Sequence, residues 1–409
     1  MQTEKAMSPA LGAAFYPPFA EDPYPFYAKA RQEEPITFCP ELNTWLVTRY
    51  DDLQQVLLDT ETFSSINSLS FGVTFHPQAI GVLMQGYPMV PMVFNSDGAD
   101  HIRLRTPLTK ALSSARIKAL EPFIREAANN LVDNLANQQR VEMMDQFAYP
   151  LALQVIHKLL GMPLEDVTRT KKWIHDWLRM MSTQLDEERQ VECAQSTIDL
   201  QRYLGNLIAE RKANPQDDVI SVLLTATDPG DEPLSETELV YMLQGLILPG
   251  HLNPTNMIGT GLQLLLDRPE QWQRLCEHPE SIPLAVEEII RFDGSIRSFG
   301  RITTREVTVG GVTLPENTPL LLIYGSGNRD EAVFADAHKF QPQRAATHHL
   351  GFGHGVHYCV GAALARLEGR VTFEVLTSRL PQMRLVSGQE LTHIPTINFR
   401  GYERLEVTL

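Results

Sequence analysis

The chain has 409 residues, 43% hydrophobic and 21% charged, and its 35 basic and 50 acidic side chains leave a formal charge of -15. That balance excludes a nucleic-acid binder, whose phosphate partner calls for clustered Lys and Arg. No run approaches the roughly 18–20 apolar residues of a membrane span, and Met1 to Pro18 has no basic stretch leading into an apolar one, so the reading is a cytoplasmic metabolic protein with no secretion signal and no membrane anchor.

In chain order, residues 1–22 read as an N-terminal extension and Trp45-Leu46-Val47-Thr48 as the first strand. Ser68 to Asp100 fits neither helix nor strand and scatters Phe71, Phe75, Met84, Tyr87, Met89, Met92 and Phe94 among Gly and Pro. Long irregular segments this apolar are functional rather than disordered. Adaptable methionines suit a loop facing a substrate, and a loop folded over the core accounts for them equally. Helical periodicity predicts Ile117 to Asn137, Val167 to Met181, Cys193 to Arg211, Ser235 to Leu266 and Ile282 to Arg291. Ser235 with Glu238 is a capping-box signal for the longest of these. Val307-Thr308-Val309 and Val312-Thr313-Leu314 flank Gly310-Gly311 as a hairpin, and Leu320 to Tyr324 follows Pro319 as a strand. A helix from Gly361 to Leu380 and a strand from Leu405 to Leu409 complete a mainly α chain with minor β, an α+β architecture.

Four cysteines, Cys39, Cys193, Cys276 and Cys359, lack CxxC spacing and do not read as a disulfide framework. Cys359 alone has an unusual setting, Gly351-Phe352-Gly353-His354-Gly355-Val356-His357-Tyr358-Cys359-Val360-Gly361, just before a helix. Glycines at positive φ let backbone N–H groups approach the sulfur, and a helix N-terminus lowers a thiol pKa. Such a thiolate suits a haem iron, onto which it pushes electron density that favours O–O cleavage. A lone cysteine is more often a small buried hydrophobe. The nearby His348, His349, His354 and His357 raise a zinc site as another reading, but their spacing matches no usual zinc pattern.

On these residues the chain resembles the cytochrome P450 family. Phe352, Gly355, His357, Cys359 and Gly361 fall on its Phe-x-x-Gly-x-[Arg/His]-x-Cys-x-Gly signature without a gap. Glu288 and Arg291 match its Glu-x-x-Arg helix, where an i, i+3 pair shares a face, and Arg344 looks like the third member of that buried triad. The resemblance implies haem b held by Cys359, with His101, Arg105, Arg301 and His357 as propionate partners and Phe352 and Gly361 also lining the cofactor. It spans about Pro23 to Leu409, is closest to soluble bacterial members, and implies one triangular, helix-rich domain over residues 1–409 with no fused reductase.

The central helix departs from the family. Soluble members commonly read Ala-Gly-His-Glu-Thr-Thr-x-Asn-x-Ile-Gly where this chain has Pro249-Gly250-His251-Leu252-Asn253-Pro254-Thr255-Asn256-Met257-Ile258-Gly259. The proton-relaying acid becomes Leu252 and the alcohol Asn253. Gly250 stays in place, and Thr255 is a fallback hydroxyl that sits two residues too far along. Pro249 and Pro254 deprive the Gly245 and Gly250 carbonyls of helical donors, at about 3 kcal/mol each, so a kink or widened groove is expected. Those carbonyls and Asn253 then suit an ordered water or a substrate hydroxyl.

The implied pocket draws on Ser68 to Asn95, Trp173 to Met181, the central helix, Ser295 to Gly300 and Thr396-Ile397. Phe75, Met84, Met92 and Ile397 line it in this reading, giving a medium-sized hydrophobic or aromatic substrate. Trp173, Trp177, Met180 and Met181 have the spacing of core residues. Arg297 is placed either on a substrate carboxylate or in a surface or propionate ion pair. Electrons come from a separate ferredoxin or flavodoxin with its reductase, docked on Arg103, Lys110, Arg116, Arg366 and Arg370. The reading is an O2-dependent haem-thiolate monooxygenase. Its alternatives are non-hydroxylating chemistry (coupling, desaturation, dehydration or a peroxide-driven path) and a non-catalytic haem sensor or recruitment module.

Overall fold

Ser235 starts the longest helix as its sequence foretells. Its hydroxyl accepts from the Glu238 N–H at 3.2 Å, and the Glu238 carboxylate accepts from the Ser235 N–H at 2.8 Å. The structure, a computed structural model, describes residues 21–69, 73–135, 137–226, 232–345, 348–394 and 396–409. Most of the extension and Phe71 therefore lie outside the described residues. The central helix, Glu236–Leu266, is unbroken across Pro249 and Pro254. Each proline forfeits one hydrogen bond, about 3 kcal/mol, and the buried packing of most side chains from Leu239 to Leu266 outweighs that. The expected kink does not interrupt the helix.

Around it pack Tyr149–Leu160, Ala362–Arg379 and the lid-like pair Val167–Ser182 and Glu187–Ala213. A β-carbon on Gly250 would lie 2.6 Å from Ile156 Cδ1, and one on Gly261 would lie 2.5 Å from Phe373 Cζ, so both glycines permit close helix contact. One large hydrophobic core runs from Leu104 to Val407 through these helices. At the other side, strands Ile36–Cys39, Thr44–Val47, Pro319–Ile323, Ser298–Thr303 and Phe63–Ser64 make a sheet in that order. Thr44–Val47 and Pro319–Ile323 run parallel with Trp45 opposite Leu320, and the other pairs are antiparallel. The Gly310-Gly311 hairpin forms, with φ of 53° and 82° at its two glycines.

Several boundaries differ from the sequence reading for local reasons. The segment from Ile117 divides into Ser114–Ala119 and Glu121–Leu135, because Pro122 cannot donate to the Lys118 carbonyl and instead opens a new helix. Glu187–Ala213 starts earlier than Cys193, capped by Asp186 accepting from Arg189 N–H at 2.9 Å. Within the irregular Ser68 to Asp100 stretch, Pro77–Leu83 is helical, with the His76 ring accepting from Gln78 N–H at 3.3 Å. Among the described residues no helix is long and apolar enough to cross a membrane.

Candidate active site

The cysteine loop is shaped by two left-handed glycines, Gly353 at φ 72° and Gly355 at φ 70°. A side chain on Gly355 would also meet the Leu57 carbonyl oxygen at 2.9 Å. Cys359 N–H donates to the Phe352 carbonyl at 2.8 Å, which turns the loop back on itself. Gly361 then caps Ala362–Arg379. Cys359 is exposed, yet burial among the surrounding protein pushes its thiol up, while the Gly361 N–H, Arg105 and Arg366 pull it down. Pro249 is likewise exposed, between the half-buried Leu248 and Gly250 of the central helix.

Four basic side chains gather beside the loop. The rings of His101 and His357 lie 4.2 Å apart, and Ser65 Oγ is 3.0 Å from His357 Nε2. Burial first, then the charges of Arg301 and His101, push His357 down to about 3, against the opposing pull of Asp97. Burial and Arg105 lower His101 as well. Arg301 is 3% exposed. Its Nε and His101 Nε2 are buried without a hydrogen-bond partner among the described residues. Asp97, 3.9 Å from His357, faces a cluster with more positive than negative groups. Unmatched buried donors call for an anion, so the residues present fit a dianionic haem edge. Sequence reasoning missed Ser65, just after the strand Phe63–Ser64, and Asp97, just before the helix Gly98–Ala111, since neither carries a motif.

The Glu288, Arg291 and Arg344 triad assembles. Arg291 is bidentate on Glu288 at 2.7 and 2.8 Å, and Arg344 Nε reaches the same carboxylate at 3.2 Å. Arg291 also donates to the Asn328 and Ala337 carbonyls, at 2.7 and 3.1 Å. The neighbouring histidines do not converge on a common point. His348 stacks on Phe334 at 5.1 Å, His349 lies 3.1 Å from Glu287, and His357 joins His101.

On the central helix Leu252 is buried, and Asn253 Oδ1 has no partner among the described residues. Ser295 Oγ donates to the Asn253 carbonyl at 2.7 Å. Thr255 is fully buried with its hydroxyl toward the Ala148 carbonyl at 3.5 Å, since two residues along a helix turn it to another face. Gly250 turns its α-carbon to Ile156, so its small size serves helix packing.

Of the pocket residues, Met92 Sδ lies 3.2 Å from where a Gly245 β-carbon would stand, against the central helix. Phe75 packs beside Ala79, Met180 and Cys193, and Ile397 beside Tyr27 and Leu321. Met84 is 81% exposed and points outward, correcting its placement in the pocket. Arg297 is buried, donates to the Thr396 carbonyl at 2.9 Å and hydrogen-bonds Tyr27, so it is not a surface pair. Trp173 and Trp177 pack against the main core. Four residues of the basic docking set form local ion pairs. Arg103 pairs with Glu238, Arg116 with Asp217, Arg366 with Glu287 and Arg370 with Glu121.

Residues 281–380 match the family profile described as Cytochrome P450. The chain is 34% identical over 400 residues to cytochrome P450 107B1 of Saccharopolyspora erythraea, covering 96% of each. It is 36% identical over 366 residues to the mycinamicin IV hydroxylase/epoxidase of Micromonospora griseorubida, covering 88% of each. Among solved structures, cytochrome P450 CREJ in complex with (4-ethylphenyl) dihydrogen phosphate aligns with a TM-score of 0.90 at 33% identity, over 95% of this chain and 97% of that one.

Proposed function

The chain belongs to the cytochrome P450 family, a haem-b monooxygenase, and on that premise we propose that Cys359 is its iron ligand. His101, Arg105, Arg301 and His357 hold the propionates, and Phe352 and Gly361 flank the ring. The carrying observation is the exposed sulfur of Cys359, on a loop turned by Gly353 and Gly355 just before the helix Ala362–Arg379, beside a buried basic cluster in which Arg301 Nε has no partner among the described residues. Bound there, haem supplies activation of O2 and insertion of one oxygen atom into an organic substrate, with thiolate donation favouring O–O cleavage.

The protein's own groups do the rest. Burial raises the Cys359 thiol, and the Gly361 N–H, Arg105 and Arg366 work against it in favour of the sulfur anion. The buried Glu288, Arg291 and Arg344 network fixes the neighbouring backbone carbonyls. An apolar lining drawn from Met92, Phe75 and Ile397, as the resemblance implies, would suit a medium-sized hydrophobic or aromatic substrate. With Leu252 and Asn253 in place of an acid and an alcohol, the proton comes from a substrate hydroxyl or an ordered water. Such a group is held at Asn253 Oδ1 and at the carbonyls freed by Pro249 and Pro254. The whole chain, residues 1–409, works as one domain in the cytoplasm, and its electrons come from a ferredoxin or flavodoxin.

The missing acid–alcohol pair favours a second reading, in which the site couples, desaturates or dehydrates without inserting oxygen. A substrate identified by a spin-state screen, then turned over under 18O2, separates the two. One 18O atom per product is the expected result, and product free of label overturns monooxygenation in favour of the second reading.

A further inference from the structure

The residue preceding the cysteine is gripped at both ends. Arg105 donates to the Tyr358 carbonyl, and Arg366 Nη1 donates to the Tyr358 hydroxyl at 3.0 Å. Arg366 is itself fixed, with Nε and Nη2 bidentate on Glu287 at 2.6 and 3.0 Å. His349 Nε2 lies 3.1 Å from the same carboxylate, and the Arg366 guanidinium sits 4.5 Å over the Phe352 ring. Burial works to raise Glu287, but His349 and Arg366 bring its carboxyl down to about 2, so it stays ionised and keeps its hold. The acid therefore occupies one edge of the guanidinium, and the other edge faces the cysteine loop. An ion pair oriented this way presents its positive end to the loop.

We propose that Tyr358 and Arg366 are positioning residues that set how strongly the Cys359 thiolate donates to the haem, and with it the reduction potential. Tyr358 ties the loop to the Arg366 fork, so the sulfur stays within reach of a fixed positive edge. That edge favours the reduced site, which has gained one electron from the redox partner and carries one more negative charge. The inference rests on Cys359 being the iron ligand. It departs from the docking role read for Arg366 in the sequence, because the guanidinium is committed to Glu287 and Tyr358.

The test is a spectroelectrochemical titration of haem-loaded wild type, Arg366→Gln, Tyr358→Phe and Arg366→Lys. Arg366→Gln should make reduction at least about tenfold less favourable, a shift of about 59 mV for one electron. Tyr358→Phe should shift the potential less and in the same direction, and Arg366→Lys, which keeps the charge, should recover most of the loss. Potentials of Arg366→Gln and Tyr358→Phe both equal to wild type, with a thiolate-type spectrum of the reduced carbon monoxide complex, would overturn the proposal and leave the Cys359 reading standing. A wild-type spectrum lacking that signature overturns both. Should Arg366→Gln fail to take up haem, Tyr358→Phe decides, since it removes one oxygen from a partly exposed ring.

Discussion

In the proposed reading Leu252 and Asn253 stand where the family's proton-relaying acid and alcohol are expected, and each brings a physical consequence. Leu252 is buried, so a carboxylate introduced there must be desolvated before it can help. Asn253 keeps a polar atom toward the site but has no hydroxyl proton to pass on. If the substrate or a held water supplies the proton, the double change Leu252→Glu with Asn253→Thr should leave product formed per electron consumed unchanged or lower. A gain of about tenfold, roughly 1.4 kcal/mol in barrier, would show the native pair to be a handicap. At this scale the motif residues were readable in the sequence because their chemistry demands fixed spacing. Tyr358 and Arg366 were not readable as a unit, since their anchor Glu287 lies 79 positions from Arg366. The outward turn of Met84 was invisible as well, because an apolar side chain does not announce which face of a loop it occupies.

Elements with a strong period and a recognisable cap were legible. The capping box at Ser235, the hairpin at Gly310-Gly311 and the helix after Gly361 form within a residue or two of where they were expected. Ile36–Cys39 and Ser298–Thr303 were not, since both faces are largely buried and leave no alternation to detect. A histidine cap at His76 lies outside the usual Ser, Thr, Asp and Asn set and hid the helix after it. Between Val167–Ser182 and the central helix, His175 and His251 stack at 5.7 Å and 24°. Burial chiefly, then repulsion from His175 and Lys171, pushes His251 down to about 3. Burial, Lys171 and Arg179 push His175 down to about 4. Both folded values lie below the unfolded one of about 6.5, so the unfolded chain takes up protons the fold refuses. This contribution is whole above pH 6.5 and declines as pH falls toward the folded values, by up to about 1.4 kcal/mol per unit for the fully buried His251 and by less for the half-buried His175. The urea midpoint should drop between pH 7 and pH 5, and His175→Phe with His251→Leu should flatten the drop. An equally steep decline in that variant would place the acid sensitivity elsewhere.

Over the whole molecule the family's fold accommodates an acidic chain in which Arg103, Arg116, Arg366 and Arg370 each pair with a carboxylate, and pairs this near the surface add little stability. The large helical core and the five-stranded sheet hold the cysteine loop, the basic cluster and the central helix in fixed relation, and the proposed chemistry rests on that arrangement. Its most direct test is the spectrum of the reduced, carbon monoxide-bound holoprotein, compared between wild type and Cys359→Ala reconstituted with haem b. The wild type should show the red-shifted Soret band of a thiolate-ligated iron, and the variant should lose both that band and turnover. A Cys359→Ala protein with an unchanged Soret band and full activity would contradict the assignment of the sulfur as iron ligand.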